Sequence, residues 1–324
     1  MHPELFEIPF FHWTVKSYGL MMVIGFLAAV WLIRYLSRDI TPDPQLITNA
    51  ALYSLIAGVV GARLFFVIHY FDQFRENPLS VFAIWNGGLE LLGGVILAIT
   101  VIVLFLWRNK LPIRRYLDIL AIGLMLALAF GRIGCFLNGC CFGKPTKLPW
   151  AVRFPYNSFA YLSQINSNLQ RDRPEPQLKL PRDEYFSYVD KDGKWYPKSY
   201  DNLTPQQQEE VTKGKYRALP VHPTQLYSSA NAAFLCLVLY LFWRRSIRST
   251  ESKSSKRFLI KPGSTFGLMF VLYGIIRFLI EFLRDDNPFE IDSLTISQLV
   301  CIALLIVGAF LIAIFNRLKS MPLK

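Results

Sequence analysis

Charge is scarce in this chain. Only 18% of its 324 residues are Asp, Glu, Lys or Arg, against 53% hydrophobic residues and a positive mean hydropathy of +0.32. That balance excludes an ordinary soluble globular protein of this size. Acidic residues are the rarer sign, 23 against 35 basic ones, giving a formal charge of +12. Histidine is rarer still: His2, His12, His69 and His222 do not cluster in sequence, which leaves no histidine-based metal motif. The long apolar runs lack the two-residue alternation of membrane-barrel strands. The first run has no basic leader and is longer than the apolar region of a cleavable signal. No internal repeat is strong enough to indicate a duplicated transporter fold.

What is present reads as an all-α integral membrane protein with seven transmembrane helices. Runs at Ser17–Leu36, Leu46–Tyr70, Leu89–Trp107, Tyr116–Phe136, Thr224–Trp243, Thr265–Leu283 and Ile296–Phe315 each approach the roughly 20 residues that cross a bilayer. Basic residues follow alternate spans. Arg34 and Arg38 follow the first, Arg108, Lys110, Arg114 and Arg115 the third. Arg244, Arg245, Arg248, Lys253, Lys256, Arg257 and Lys261 follow the fifth, and Arg317, Lys319 and Lys324 the last. The other short loops hold few, with Arg75 after span two and Arg284 after span six. The positive-inside rule then puts the amino terminus outside and the carboxyl terminus in the cytoplasm. Because the basic clusters flank spans, the positive charge needs no nucleic-acid partner.

Residues 145–221 break the pattern. This stretch is polar and rich in Pro, Asn, Gln and Tyr, as in QRDRPEPQLKLPRDEYFSYVDKDGKWYP, and is too long for an ordinary loop. It reads as an external cap between helices four and five. The organisation is therefore helices one to four in 1–144, the insert in 145–221, and helices five to seven with the tail in 222–324, all one membrane domain.

Topology gathers the unusual residues at one depth. Late in the outward-running spans lie Arg63, Arg132, Asn138, Tyr273, Arg277 and Glu281; early in the inward-running ones lie Tyr18, the stretch Trp85–Gly94 with Gly93 and Gly94, and His222 to Tyr227. Three arginines against one carboxylate leave positive charge, and a planar guanidinium suits phosphate. A lipid head group held between spans, in the outer leaflet, fits this set. Each element also has a plain structural explanation. An arginine near a helix end snorkels to the interface, Arg277 and Glu281 are spaced to neutralise each other, and the glycines allow close helix packing. Intramembrane charges also mark transport pathways, but here they gather at one face and do not cross the bilayer.

Five cysteines remain. Cys135, Cys140 and Cys141 follow a C-x4-C-C spacing that matches no standard zinc or haem pattern. Cys236 and Cys301 lie inside apolar spans as packing residues. The expectation is structural cysteines, with no metal and no cofactor, ahead of the alternatives of a disulfide in an oxidising outer compartment and a metal site.

The run GRIGCFLNG at 131–139 resembles the signature of the bacterial prolipoprotein diacylglyceryl transferases. So do YGLMMVIGF (18–26), GARLFFVIHY (61–70), VHPTQLY (221–227) and YGIIRFLIEFLR (273–284), in the family's order. The resemblance covers nearly the whole chain outside the insert. It implies a seven-span enzyme of the bacterial inner membrane that moves the diacylglyceryl group of phosphatidylglycerol onto the lipobox cysteine of a prolipoprotein, releasing glycerol 1-phosphate. Its partners are membrane lipid and the prolipoprotein signal peptide. By motif match it implies Arg132 for phosphatidylglycerol binding, Arg277 for head-group or leaving-group stabilisation, and Glu281 for orienting Arg277 or accepting a proton. Asn138, Tyr18 and Arg63 join the lipid pocket, with Gly93, Gly94, His222 and Tyr273 as further candidates.

The chain departs from the pattern on the acid–base side. Leu92 stands where many members have histidine, Cys135 and Cys140 replace an asparagine and an acidic residue, and Ser228 replaces a glutamate. Glu90, Glu281, His222 and the lipid phosphate remain as proton acceptors. The residues leave open a non-catalytic relative that binds lipid or assists assembly.

Overall fold

The computed structural model describes residues 4–8, 13–41, 43–75, 77–83, 88, 90–190, 193–251, 261–291 and 293–318. Trp85, Leu89, His2, His12, Lys253, Lys256, Arg257, Lys319 and Lys324, all named above, lie outside the described residues. The chain begins with a hairpin of β1 (Glu4–Ile8) and β2 (Trp13–Lys16), followed by α1 (Ser17–Ser37), α2 (Gln45–His69), α3 (Leu91–Arg108) and α4 (Ile113–Asn138). Next come α5 (Phe159–Ile165), α6 (Arg182–Tyr185), the hairpin β3 (Phe186–Val189) and β4 (Trp195–Pro197), and α7 (Pro205–Thr212). The long helices resume with α8 (Thr224–Glu251) and α9 (Ser264–Glu281). A short hairpin of β5 (Phe289–Ile291) and β6 (Leu294–Thr295) then leads into α10 (Ile296–Arg317).

The protein is mostly helical, and among the described residues six helices are long and apolar enough to cross a membrane: α1, α2, α4, α8, α9 and α10. Helix α3 is apolar but shorter. The mostly helical architecture agrees with an all-α membrane protein, to which the described residues add three small two-stranded antiparallel hairpins. Their strands are only two to five residues long, so two-residue periodicity is too brief to stand out from loop sequence. Helix α8 continues to Glu251, past the apolar run that ends at Trp243. Hydropathy falls at Arg244 and Arg245, but arginine is a good helix former and the backbone ladder continues.

Helix α4 is the central strut. Ile119 and Ile122 are fully buried, and Met125 is nearly so, against Leu36 of α1, Leu235 and Leu239 of α8 and Met269 of α9. Around it, α1 and α8 lie along α4, while α2 pairs with α3 and α9 with α10. At the start of α4 the buried Asp118 accepts hydrogen bonds from the backbone N–H groups of Gly263 (2.7 Å) and Phe266 (3.0 Å). A carboxylate there meets the positive end of the α9 dipole and satisfies its first donors. Asp118 and Arg132 are separated by roughly 21 Å of helix, so this anchor and the signature run mark opposite ends of the bundle.

The pairing of α2 with α3 depends on backbone contact at two glycines. A Cβ on Gly61 would lie 2.5 Å from the Gly93 carbonyl oxygen, and a Cβ on Gly93 would meet the Gly61 carbonyl at the same distance. Gly94 faces Gly58 and Ala62 in the same way. Dispersion at this short range, not solvent exclusion, holds apolar helices together in lipid. Gly93→Val must therefore separate the helices. We expect destabilisation at or above the upper end of the roughly 1–3 kcal/mol typical of overpacking, seen as a lowered thermal midpoint of the solubilised protein.

Residues 139–223 fold around a core of their own, in which Tyr161, Ile165, Tyr185 and Val211 are buried. Thr204 and Gln207 close a capping box on α7, and Ser158 caps α5. The segment is tied to the bundle at its root, where Val152 and Pro145 bridge Val221 and Gly143 pairs with both His222 and Arg284.

Candidate functional site

The signature run ends α4 in a way that its residues dictate. Gly139 takes the left-handed conformation, φ +78°, which glycine adopts without strain. Its N–H reaches the Phe136 carbonyl, and the Cys140 N–H reaches the Cys135 carbonyl, both at 3.2 Å. This is the paired closure of a Schellman cap, which places the second residue after the helix against the third from its end. Cys140 is thereby folded back onto Cys135. Cys141, also at positive φ (+59°), continues the reversal, and the three sulfur atoms all lie within 4.8 Å of one another. All five cysteines carry free thiols.

The stretch HPTQLY holds this reversal in place. Thr224 Oγ1 donates to the Cys141 carbonyl (2.7 Å) and Gln225 Nε2 to the Cys140 carbonyl (2.6 Å). Both side chains are essentially buried. Ser229 Oγ donates to the Ala129 carbonyl at 2.8 Å. The polar start of α8 thus supplies hydrogen-bond partners that the end of α4 lacks.

Arg132 lies one turn before Cys135 on α4. Its Nη1 donates to Cys141 Sγ at 3.7 Å, and the Tyr273 phenol and Arg284 lie within electrostatic reach. Among the described residues it forms no ion pair with a carboxylate. Tyr18 comes from α1: its ring lies beside Gly134, close to the three cysteines and Arg132. Asn138 hydrogen-bonds with Cys140 and lines a cavity of about 220 Å³ with Gly139, Pro155, Tyr156 and Ser158. Arg132, Asn138, Tyr18 and Tyr273 are thus brought together. Hydrogen bonds from the Cys135 and Cys140 thiols, then the charges of Arg284 and Arg132, hold the Cys141 thiol below the ordinary cysteine range.

Arg277 and Glu281 form a second, adjoining group. Arg277 is 7% and Glu281 1% exposed. Arg277 Nη1 donates to Glu281 Oε2 at 2.5 Å, and Nη2 donates to Ser297 Oγ at 3.2 Å. Glu281 Oε1 also accepts from Asn287 Nδ2 (2.5 Å) and Thr295 Oγ1 (2.9 Å). Glu281 is therefore the hub joining α9 to the start of α10. Arg284 lies 3.8 Å from Glu281 and forms a two-pronged pair with Asp286 at 2.8 and 2.5 Å. Asp285 pairs with Arg173 from the segment after α4, at 2.6 Å.

The remaining candidates fall elsewhere. Arg63 is buried, and its guanidinium donates to the carbonyls of Val81 (2.8 Å), Ser80 (2.7 Å) and Gly88 (2.9 Å) between two aromatic rings, Phe66 and Phe74. It clips the loop before α3. Gly93 and Gly94 sit in the α2–α3 contact. Leu92 is exposed on the surface of α3, and Glu90 pairs with His69 at 2.7 Å. His222 stands at the entry to α8, with Nδ1 3.4 Å from the Tyr227 hydroxyl; burial pushes its imidazole below the ordinary range, which keeps it neutral at pH 7.

Sequence reading missed Arg173, Asp285, Asp286 and Asn287. The signal was RDDNP at 284–288, an arginine with two carboxylates beside it, read only as a loop charge. It also missed the Schellman geometry, although a glycine four residues after Cys135 and just before Cys140 is the sequence sign of that cap.

Fold and site define the class: a multi-span helical membrane protein with polar groups, thiols and a guanidinium that meets no carboxylate among the described residues, gathered at one end of the bundle. The family model for the prolipoprotein diacylglyceryl transferases matches residues 3–314, and the chain belongs to that family. A relative from Clostridium tetani, named phosphatidylglycerol–prolipoprotein diacylglyceryl transferase, is 28% identical over 316 residues, covering 98% of this chain and 97% of its own. Relatives of the same name from Synechococcus elongatus and Aeromonas salmonicida are each 27% identical, over 95% and 92% of this chain and 86% and 85% of theirs.

Proposed function

We propose that this chain transfers the diacylglyceryl group of phosphatidylglycerol to the thiol of the lipobox cysteine in prolipoproteins, releasing glycerol 1-phosphate. The observation that carries the reading is Arg132, the guanidinium at the end of α4 that has no carboxylate partner among the described residues, in a chain matched by the family over 3–314. Sulfur displaces a phosphate ester at the glycerol carbon, so negative charge grows on the leaving oxygen. A fixed cation aimed there favours the transition state over the ground state.

Arg132 grips the phosphate, with Asn138, Tyr18 and Tyr273 as its polar companions. Arg277 faces the same end and steadies the head group or leaving group, and Glu281 orients Arg277. The four contacts on Glu281 favour that positioning role over proton transfer. Arg63 acts on the pocket by holding the loop before α3, and Gly93 and Gly94 by seating α3 on α2. His222, neutral at pH 7, and the lipid phosphate are proton acceptors in this scheme.

The setting follows the same reading. Helix α3, about 27 Å long, is the seventh span in a hydrocarbon core of about 30 Å, with a small local adjustment of the bilayer. The basic ends of α1, α3, α8 and α10 face the cytoplasm of a bacterial inner membrane, and the site faces the outer leaflet. Residues 1–144 and 222–324 form the membrane domain, and 145–221 the external insert. The lipid enters sideways between helices and the lipobox peptide from the outer face.

Purified protein in phosphatidylglycerol micelles, given a lipobox peptide, tests this. Mass spectrometry is expected to show a diacylglyceryl adduct on the peptide cysteine and released glycerol 1-phosphate. Bound lipid with no adduct would point to a lipid-binding relative without turnover.

A further inference from the structure

We propose that Cys135, Cys140 and Cys141 form a three-thiolate zinc site whose open fourth position takes the incoming lipobox thiol. The inference rests on the transferase reading and adds to it the activation of the nucleophile.

The geometry comes first. The three sulfurs are already within 4.8 Å of one another. Zinc–sulfur bonds of roughly 2.3 Å at tetrahedral angles place sulfurs about 3.8 Å apart, so modest side-chain rotation closes the site. The ligand-bearing backbone is fixed, because the Schellman cap sets Cys140 against Cys135 and buried Thr224 and Gln225 hold the Cys141 and Cys140 carbonyls. Among the described residues no histidine, carboxylate or fourth cysteine completes the group. Three protein ligands with an open position is the pattern of a zinc site that does chemistry; structural sites carry four.

Charge agrees. Three thiolates and one divalent cation sum to one negative charge. Arg132, whose Nη1 already points at Cys141 Sγ, supplies one positive charge, and Arg284 is matched by Asp286. Donation from Arg132 to a metal-bound sulfur is also the outer contact such sites use to orient a ligand.

The reaction supplies the need. A free thiol has a pKa of about 8.5 and attacks only as thiolate. This chain has Leu92, exposed and apolar, where its family resemblance leads one to expect a histidine. A thiol coordinated to zinc is deprotonated outright. The lipobox thiol would take the open fourth position and give up its proton to the neutral His222 imidazole, one of the acceptors named above. Its sulfur lone pair then forms the C–S bond as the C–O bond breaks, and the bonding pair leaves with the phosphate oxygen of glycerol 1-phosphate. The thioether product has no thiolate charge, binds zinc weakly and departs.

The test uses the full chain in phosphatidylglycerol micelles, with Zn2+ for content and activity and Co2+ as a spectroscopic stand-in. Zinc content is expected at about one per chain. Cys140→Ser should weaken binding by more than the roughly 10–100-fold that losing an outer-shell contact costs, whereas Cys236→Ser should not change it. The thiolate bands of the Co2+ form should shift when the lipobox peptide is added and stay unmoved by a peptide with serine for cysteine. Stripping the metal should abolish transfer, and Zn2+ should restore it. Equal transfer by stripped protein or by Cys140→Ser overturns the proposal, as does a Co2+ spectrum indifferent to the peptide thiol or a disulfide among these cysteines in active protein. If no form transfers at all, the transferase reading fails instead, and the metal stoichiometry still decides whether the site exists.

Discussion

Arg132→Ala is expected to abolish diacylglyceryl transfer while leaving the chain inserted and folded. The size follows from what the residue lacks. Arg277, Arg284 and Arg173 each meet a carboxylate, so part of their charge is spent inside the protein. Among the described residues Arg132 meets no carboxylate and donates through Nη1 to a sulfur, which leaves the rest of its planar fork for whatever occupies the site. Removing one fixed donor to developing negative charge costs on the order of 10²–10³ in rate, and a full cation at a phosphate should reach at least that. Stability should change little, because no buried carboxylate is orphaned. Arg132→Lys separates two parts of the role: it keeps the charge and loses the planar two-pronged grip, so it should retain a small fraction of the activity. The measurement is adduct formation by mass spectrometry beside a thermal midpoint. Transfer by Arg132→Ala at the native rate would remove Arg132 from the chemistry; an equal fall in midpoint and rate would make it a folding residue.

The long helices were readable because their signal is simple. An apolar run of bilayer length has no competing fate, and six of the seven predicted spans fall on α1, α2, α4, α8, α9 and α10, the other on the shorter α3. The clustering of Tyr18, Arg132, Asn138 and Tyr273 was readable for a related reason: alternating span direction converts sequence position into depth. Depth, however, is not angle around a helix axis. Arg63 is expected at the depth of the others, but its guanidinium turns into the loop before α3, where the carbonyls of Val81, Ser80, Ala83 and Gly88 take its donors. Gly93 and Gly94 carry the same expectation and face α2. The hairpins are too short for their period to show, and the pair of Arg173 with Asp285 joins segments 112 residues apart, which no local period encodes. The cysteines are the intermediate case. Their spacing resembled no metal motif because such motifs describe sequence gaps, whereas here a helix cap closes the gap.

Glu281→Gln is expected to destabilise the protein by about 3–5 kcal/mol, the cost of breaking a buried ion pair and leaving one charge alone. Glutamine nearly preserves the volume, so the effect isolates charge and hydrogen-bond polarity. Four donors converge on Glu281: Arg277, Asn287, Thr295 and, more distantly, Arg284. A carboxylate accepts all of them; glutamine has one oxygen and turns an NH2 toward donors that cannot use it. Thr295 also caps α10 in a box with Gln298, so the disturbance spreads to the start of that helix. Arg284 keeps Asp286, but Arg277, 7% exposed, keeps only Ser297. Adding Arg277→Leu to Glu281→Gln removes the stranded charge and should recover part of the lost stability, since apolar replacement of a whole buried pair is often neutral. Transfer should stay low in both variants if Arg277 serves the leaving group. Thermal midpoints of the parent, Glu281→Gln, Arg277→Leu and the double variant complete the double-mutant cycle and measure the coupling. A Glu281→Gln variant as stable as the parent yet inactive would reverse the assignment, because a carboxylate that does not hold the structure but is needed for turnover is a proton acceptor.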